Sequence, residues 1–205
     1  MKRTDKLPVA FFLQDTVTVA RELLGCTLWH MSERGALAAR IVETEAYLGA
    51  NDSASHARRG LRSDRNQSMY LEGGHAYVYF TYGMHYCLNV VTAEEGTAEA
   101  VLLRAAEPLQ GIPQMWKNRP RAKRESDLLS GPGKLTMAMG IDKKLDGEHL
   151  RGARLFLTPR EHQVDDADIA ITPRVGIESS GEAAHWPLRF FLAGNPNVSV
   201  TRSFR

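Results

Sequence analysis

Between Ala36 and Leu48 the chain reads ALAARIVETEAYL, an apolar run with no proline or glycine to break it and with two glutamates inside it. A strand of that length must lie within a sheet, and the sheet must accommodate both carboxylates. Period-two geometry predicts that Ile41, Glu43, Glu45 and Tyr47 share one face and that Val42, Thr44, Ala46 and Leu48 share the other. One face then carries two carboxylates beside an aromatic ring. The apolar surroundings imply partial burial, which is costly for a carboxylate unless it is paired. Neighbouring like charges also push one pKa upward. Two readings follow for the pair: a structural ion pair, or a general base tuned toward neutrality.

The polar turn SERG joins this strand to CTLWHM in the pattern of an antiparallel hairpin. Upstream, DTVTVARELLG predicts a helix over residues 16–24, with Asp15 as N-cap and Gly25 closing it. Residues 49–68 are polar and follow neither period, which predicts a long ordered loop, and such loops in compact domains are often functional. HAYVYFTYGMHYCLNVVTA predicts a second hairpin with YGMH as its turn. AEAVLLRAAEPLQG adds a strand bearing Arg104. IPQMWKNR and LLSGPGKLTMAMG suggest short helices, and RLFLTP, RVGI and PLRFFLAG suggest later strands. The class is α+β, built on a mixed, mainly antiparallel curved sheet with flanking helices and a protruding β-hairpin.

At 205 residues and 43% hydrophobic content, one core and a single domain spanning residues 1–205 are expected. Cys26 and Cys87 stand far apart, and no secretory signal or long apolar span is evident. Reduced thiols and an intracellular protein are therefore expected, in the cytoplasm or nucleoid if the source is bacterial. The histidines lack metal-ligand spacing, so neither a metal nor a cofactor is called for. The net charge of +2 does not announce a nucleic-acid partner. The local runs HARRGLRSDR and KNRPRAKR are nevertheless basic, and Arg58 and Arg59 in the first are candidate contacts to a DNA backbone.

Tyr77 and Tyr79 share a face of the second hairpin, where Tyr77 reads as sheet packing. Tyr82 opens the turn. A large ring at a hairpin tip has little core to enter, and it suits a wedge filling the gap left by a nucleotide turned out of duplex DNA. Tyr47, His56 and Tyr79 would then enclose the extruded base.

Taken in order, IVETEAYLG, SASHARRG, RNQSMY, YVYFTYGMHYCLN, VLLRAAEPLQG, SGPGKL, RVGI and PLRFFLAGNPNVSV resemble the alkyladenine (3-methyladenine) DNA glycosylase family of the mammalian type. The resemblance covers nearly the whole chain after about residue 10. It implies that Glu45 is the general base for the attacking water, that Arg104 helps hold this water, and that the backbone carbonyl of Val175 contacts it. It places Tyr47, His56 and Tyr79 around the flipped base and makes Tyr82 the intercalating residue. Asn89 becomes the side chain that crowds the guanine 2-amino group. Glu43 has no such counterpart and keeps the reading of a structural ion pair.

The implied activity is hydrolysis of the N-glycosidic bond of alkylated or deaminated purines: 3-methyladenine, 7-methylguanine, hypoxanthine and ethenoadenine. With no lysine placed as a Schiff-base nucleophile, a monofunctional enzyme without lyase activity is expected. The expected partner is double-stranded DNA containing damaged purines, bound by a monomer with no membrane association. A non-enzymatic damaged-DNA-binding module would need the same tyrosines and basic loops but not Glu45. A hydrolase of free nucleosides would have no use for the wedge.

Overall fold

The computed structural model describes residues 5–81 and 83–199. It opens on two short helices, α1 (Val9–Phe12) and α2 (Thr16–Glu22). Asp15 caps α2: its Oδ1 accepts hydrogen bonds from the Val17 and Thr18 amides at 3.0 Å each, an arrangement worth about 1 kcal/mol. The helix stops slightly before residue 24. Gly25, at φ +86, then turns the chain into β1 (Thr27–Ser32), a conformation that costs glycine little.

β1 and β2 (Gly35–Tyr47) form the expected antiparallel hairpin, from Thr27 opposite Arg40 to Ser32 opposite Gly35. β3 (Ala76–Thr81) and β4 (His85–Thr92) form the second hairpin. With β5 (Glu99–Gln110) and β6 (Leu155–Thr158) they make a curved sheet in the order β3-β4-β5-β2-β1-β6. β8 (Arg189–Leu192) pairs with β2 and carries β7 (Ile169–Thr172) outside it. β2 is long enough to hold β1 against its first half and β8 against Glu43–Glu45. Every one of these pairings is antiparallel.

Ala76, Val78, Leu88, Val90, Val101 and Leu103 pack into the core with Val19 and Ala20 of α2. Leu135 and Ala138 of α4 (Pro132–Met139) and Met115 of α3 (Ile112–Asn118) join them. The alternate residues of the same strands face the other way. That second face is free to build a site.

Strict alternation fails within β2. Ile41 pairs with Ala106, Glu43 with Ala105 and Thr44 with Leu103, so the register skips Val42 on β2 and Arg104 on β5. Before the irregularity Ala39 and Ile41 enter the core, and after it Ala46 does, while Thr44 donates to the Ala20 carbonyl of α2 at 2.8 Å. Ile41 therefore sides with Ala46, and the expectation that it shares a face with Glu45 and Tyr47 is corrected. Bulges shift parity and re-aim side chains in this way.

RVGI is not a strand. β7 ends at Thr172, and residues 174–177 are irregular. Pro173 offers no amide to a ladder, and Gly176 sits at φ +77. The long loop after β2 is ordered by single turns at Gly49–Asn51, Arg58–Gly60 and Gln67–Tyr70. Asp52 fixes its start by accepting hydrogen bonds from the Leu48 amide at 3.1 Å and the Ala54 amide at 3.0 Å. Among the described residues, no helix is long and apolar enough to cross a membrane.

Candidate active site

Tyr77 opposes Asn89, Asn89 opposes Leu102, and Leu102 opposes Glu45, making one row across β3, β4, β5 and β2. Residues directly opposite each other in a sheet share a face. Over this row opens a cavity of about 480 Å³ whose lining includes Tyr47, His56, Tyr79, Asn89, Arg104 and Val175. Residues far apart in sequence thus meet because four strands present one face, while the loop after β2 and the segment after β7 close over it.

Glu45 is fully buried. Its Oε1 accepts from the Val175 amide at 2.8 Å and its Oε2 from the Tyr47 hydroxyl at 3.0 Å. Arg104 Nη1 stands 3.5 Å from each oxygen. The carboxylate lies behind these three residues, all of which line the cavity. Burial raises its pKa above the ordinary carboxylate value against the opposing pull of Arg104, the Val175 amide and Tyr47, and the nearby Glu43 adds to the rise. The resemblance assigns the Val175 backbone carbonyl to the attacking water, whereas the contact made here runs from its amide N–H to Glu45. Burial, and next the charge of Glu45, push the Tyr47 hydroxyl well above its ordinary value, so it remains a phenol and a donor.

Glu43 is equally buried and differently engaged. Its Oε1 accepts from Arg189 Nε at 2.6 Å and from the Ser199 hydroxyl at 2.8 Å, and its Oε2 accepts from the Ser199 amide at 2.7 Å. Arg104 Nε lies 3.0 Å from the same Oε1 and 3.2 Å from Ser199 Oγ. The ion-pair reading of Glu43 thus matches the structure. Burial opposes the Arg104 charge, but Glu45 and Glu43 together more than offset it and hold the guanidinium protonated.

The aromatic wall is compact. His56 and Tyr79 meet edge to face with ring centroids 4.5 Å apart, and Tyr77 and Tyr79 lie tilted at 5.2 Å. His56 Nδ1 and the Tyr77 hydroxyl are hydrogen-bonded at 2.8 Å. Burial lowers the His56 pKa to about 4, with the positive charges of Arg65 and Arg58 acting in the same direction, so the ring is neutral at physiological pH. Asn89 is buried and aimed by its amide, which donates to the Tyr77 carbonyl at 3.1 Å. Tyr77 both packs, as the sequence suggests, and lines the cavity.

Arg58 borders the cavity and also a neighbouring groove of about 550 Å³ that includes Arg59. Both arginines are exposed, and Arg59 holds a left-handed backbone (φ +57). Tyr82 lies outside the described residues.

Sequence reasoning missed Tyr77 as a cavity residue, although its shared face with Tyr79 was a usable signal. It also missed Arg189 and Ser199, for which no local signal existed: they lie 146 and 156 residues from Glu43. A third omission is the buried pair of Asp52 and Arg174, separated by 122 residues.

Relatives match this chain over nearly their whole length. A protein of Carboxydothermus hydrogenoformans is 47% identical over 193 residues, covering 94% of this chain and 98% of its own. One from Methanoculleus marisnigri is 49% identical over 201 residues, with coverage of 94% and 98%. One from Bdellovibrio bacteriovorus is 45% identical over 196 residues, again with 94% and 98%. Each is provisionally named a 3-methyladenine DNA glycosylase. The family described as methylpurine-DNA glycosylase (MPG) matches residues 10–196, a span that holds the two carboxylates, the aromatic wall and Val175. A buried glutamate behind a ring-lined cavity, in a chain matched along nearly all of its length, leads to one assignment: the chain belongs to the methylpurine-DNA glycosylase family.

Proposed function

We propose that this DNA glycosylase turns alkylated or deaminated purines out of duplex DNA into the cavity and hydrolyses their N-glycosidic bond, with Glu45 as general base. The observation that carries the reading is the hydrogen-bonding state of Glu45. A carboxylate offers about four acceptor positions, and Val175, Tyr47 and Arg104 address three of them. The remaining position suits a water, which the carboxylate deprotonates as the bond to the sugar breaks with oxocarbenium character. Its negative charge also offsets the positive charge developing on the sugar. The raised pKa favours accepting that proton.

Tyr47, His56 and Tyr79 enclose the base, a stacking contribution of about 1–3 kcal/mol per base. Asn89, held by the Tyr77 carbonyl, crowds the 2-amino group of guanine. Arg104 steadies the water and the carboxylate together. Tyr82 fills the vacated stack, a role that rests on the family resemblance. Arg58 and Arg59 contact phosphates, and the protein acts as a monomer.

Glu43 is occupied by Arg189, Arg104 and Ser199, so it does not serve as a general acid. Cationic 3-methyladenine and 7-methylguanine leave without protonation, whereas neutral hypoxanthine and ethenoadenine are the slower substrates. Among the described residues, no lysine lines the cavity. The reaction therefore stops at an abasic site, without strand cleavage.

Duplexes that each carry one lesion, incubated with enzyme and then treated with alkali, test this directly. Wild-type protein is expected to give strand scission only after alkali, with the 3-methyladenine and 7-methylguanine duplexes reacting fastest. Glu45→Gln is expected to bind the same duplexes and release no base. Base release by Glu45→Gln at the wild-type rate would overturn the mechanism.

A further inference from the structure

Arg174 and Asp52 form a salt bridge with both side chains wholly buried. The pairing is a fork: Nη1 lies 2.5 Å from Oδ2 and Nη2 lies 2.9 Å from Oδ1. The guanidinium also donates to the Ala46 carbonyl at 2.8 Å and the Ala183 carbonyl at 3.2 Å. Its Nε is buried with no hydrogen-bond partner among the described residues. An ion pair with an orphaned donor is a poor way to gain stability, since apolar side chains of similar volume often do as well or better.

What the pair holds is more telling. Ala46 lies between Glu45 and Tyr47, and the guanidinium carbon stands 4.6 Å from the centroid of the Tyr47 ring. The next residue, Val175, donates its amide to Glu45. Asp52 anchors the start of the loop that delivers His56. One rigid, planar cation thereby fixes the Tyr47 ring on β2, the amide over the carboxylate and the root of the base-enclosing loop. Lysine cannot reproduce such a fork.

We infer that Arg174, clamped by Asp52, is a positioning residue for the reaction: it acts through the Val175 amide and the Tyr47 ring to set the Glu45 carboxylate. The inference rests on Glu45 being the general base. Neither Arg174 nor Asp52 touches the reacting atoms in this scheme. Loosening the clamp withdraws the Val175 N–H from Glu45 and leaves one face of Tyr47 unsupported. The carboxylate is then short of a donor that favours its charged form.

Single-turnover excision from a 7-methylguanine duplex, followed from acid to neutral pH, tests this with Arg174→Lys and with the apolar double variant Asp52→Leu/Arg174→Met. The charged and titratable groups around Glu45 are Arg104 on β5, Glu43 and Tyr47 on β2, Tyr79 on β3 and Cys87 on β4, with Arg189 of β8 opposite Glu45 in register and paired to Glu43. All of these stay intact in both variants. The expected result is a loss of about 100-fold in the rate at saturating enzyme, with the acid limb moved to higher pH in both variants; the double variant also melts lower, because Asp52→Leu leaves the Leu48 and Ala54 amides without their acceptor. A clamp that serves stability alone predicts instead a lowered melting temperature with an unmoved acid limb, and that outcome in Arg174→Lys overturns the inference. Should the double variant not fold, the pH profile of Arg174→Lys still decides. Base release by Glu45→Gln, by contrast, would remove the general-base reading itself.

Discussion

His56 shows how one side chain can carry both a site and a liability. Its ring is held neutral between Tyr77 and Tyr79, with a pKa of about 4 against an ordinary 6.5. Between those values the unfolded chain binds a proton that the native state refuses. The stability associated with the neutral ring is therefore complete above about pH 6.5 and is lost as pH falls toward about 4. Urea unfolding at several pH values across this window is expected to show a falling midpoint for the wild type and a shallower fall for His56→Gln. An equal fall in both proteins would place the acid sensitivity elsewhere. Under the proposed function the neutrality also serves binding, because an uncharged ring against a cationic alkylated purine would add no repulsion.

Elements decide how the two glutamates of β2 part company. The irregular register opposite β5 skips Val42 and Arg104, and Arg104 reaches Glu43 and Glu45 together. Pairing with β8 then brings Arg189 to Glu43, and the residues after β8 bring Ser199. Glu43→Gln leaves the buried Arg189 guanidinium without its counter-charge and Arg104 with Glu45 alone, an imbalance that costs about 3–5 kcal/mol. Equilibrium urea denaturation is expected to show that loss. Asp127→Asn, which breaks the surface pair with Arg124, is expected to shift the midpoint little. A Glu43→Gln protein as stable as wild type would mean that Ser199 and the neighbouring backbone suffice to hold the arginines.

Over the whole molecule the net charge is only +2, so attraction to DNA must come from where the cations lie. Arg58 and Arg59 stand exposed at the mouth of the cavity and in the adjoining groove. Part of the second basic run serves the fold instead: Arg119 donates to the Asp127 and Leu128 carbonyls, and Arg124 pairs with Asp127. Binding to an undamaged duplex is expected to weaken as salt rises. Arg58→Glu with Arg59→Glu is expected to flatten that slope by about one unit for each phosphate that is no longer neutralised. Fluorescence anisotropy over a range of salt concentrations measures it. An unchanged slope would make the two arginines a solvated loop.

The sequence by itself determined the strands other than β7, both hairpins, the Asp15 cap and the candidacy of Glu45, Tyr47, His56, Tyr79, Asn89 and Arg104. Period, turn chemistry and capping are local, and the motif order is written in the chain. Only the tertiary structure decided which glutamate meets which arginine, where the parity of β2 breaks, and that RVGI is an irregular segment whose Val175 amide rests on Glu45. It also decided that Tyr77 belongs to the cavity, and that Asp52 and Arg174 lock together across 122 residues. The physical reason is separation. A buried charge is satisfied by whichever partner the fold carries to it, and for Glu43 the partners Arg189 and Ser199 arrive from the far end of the chain.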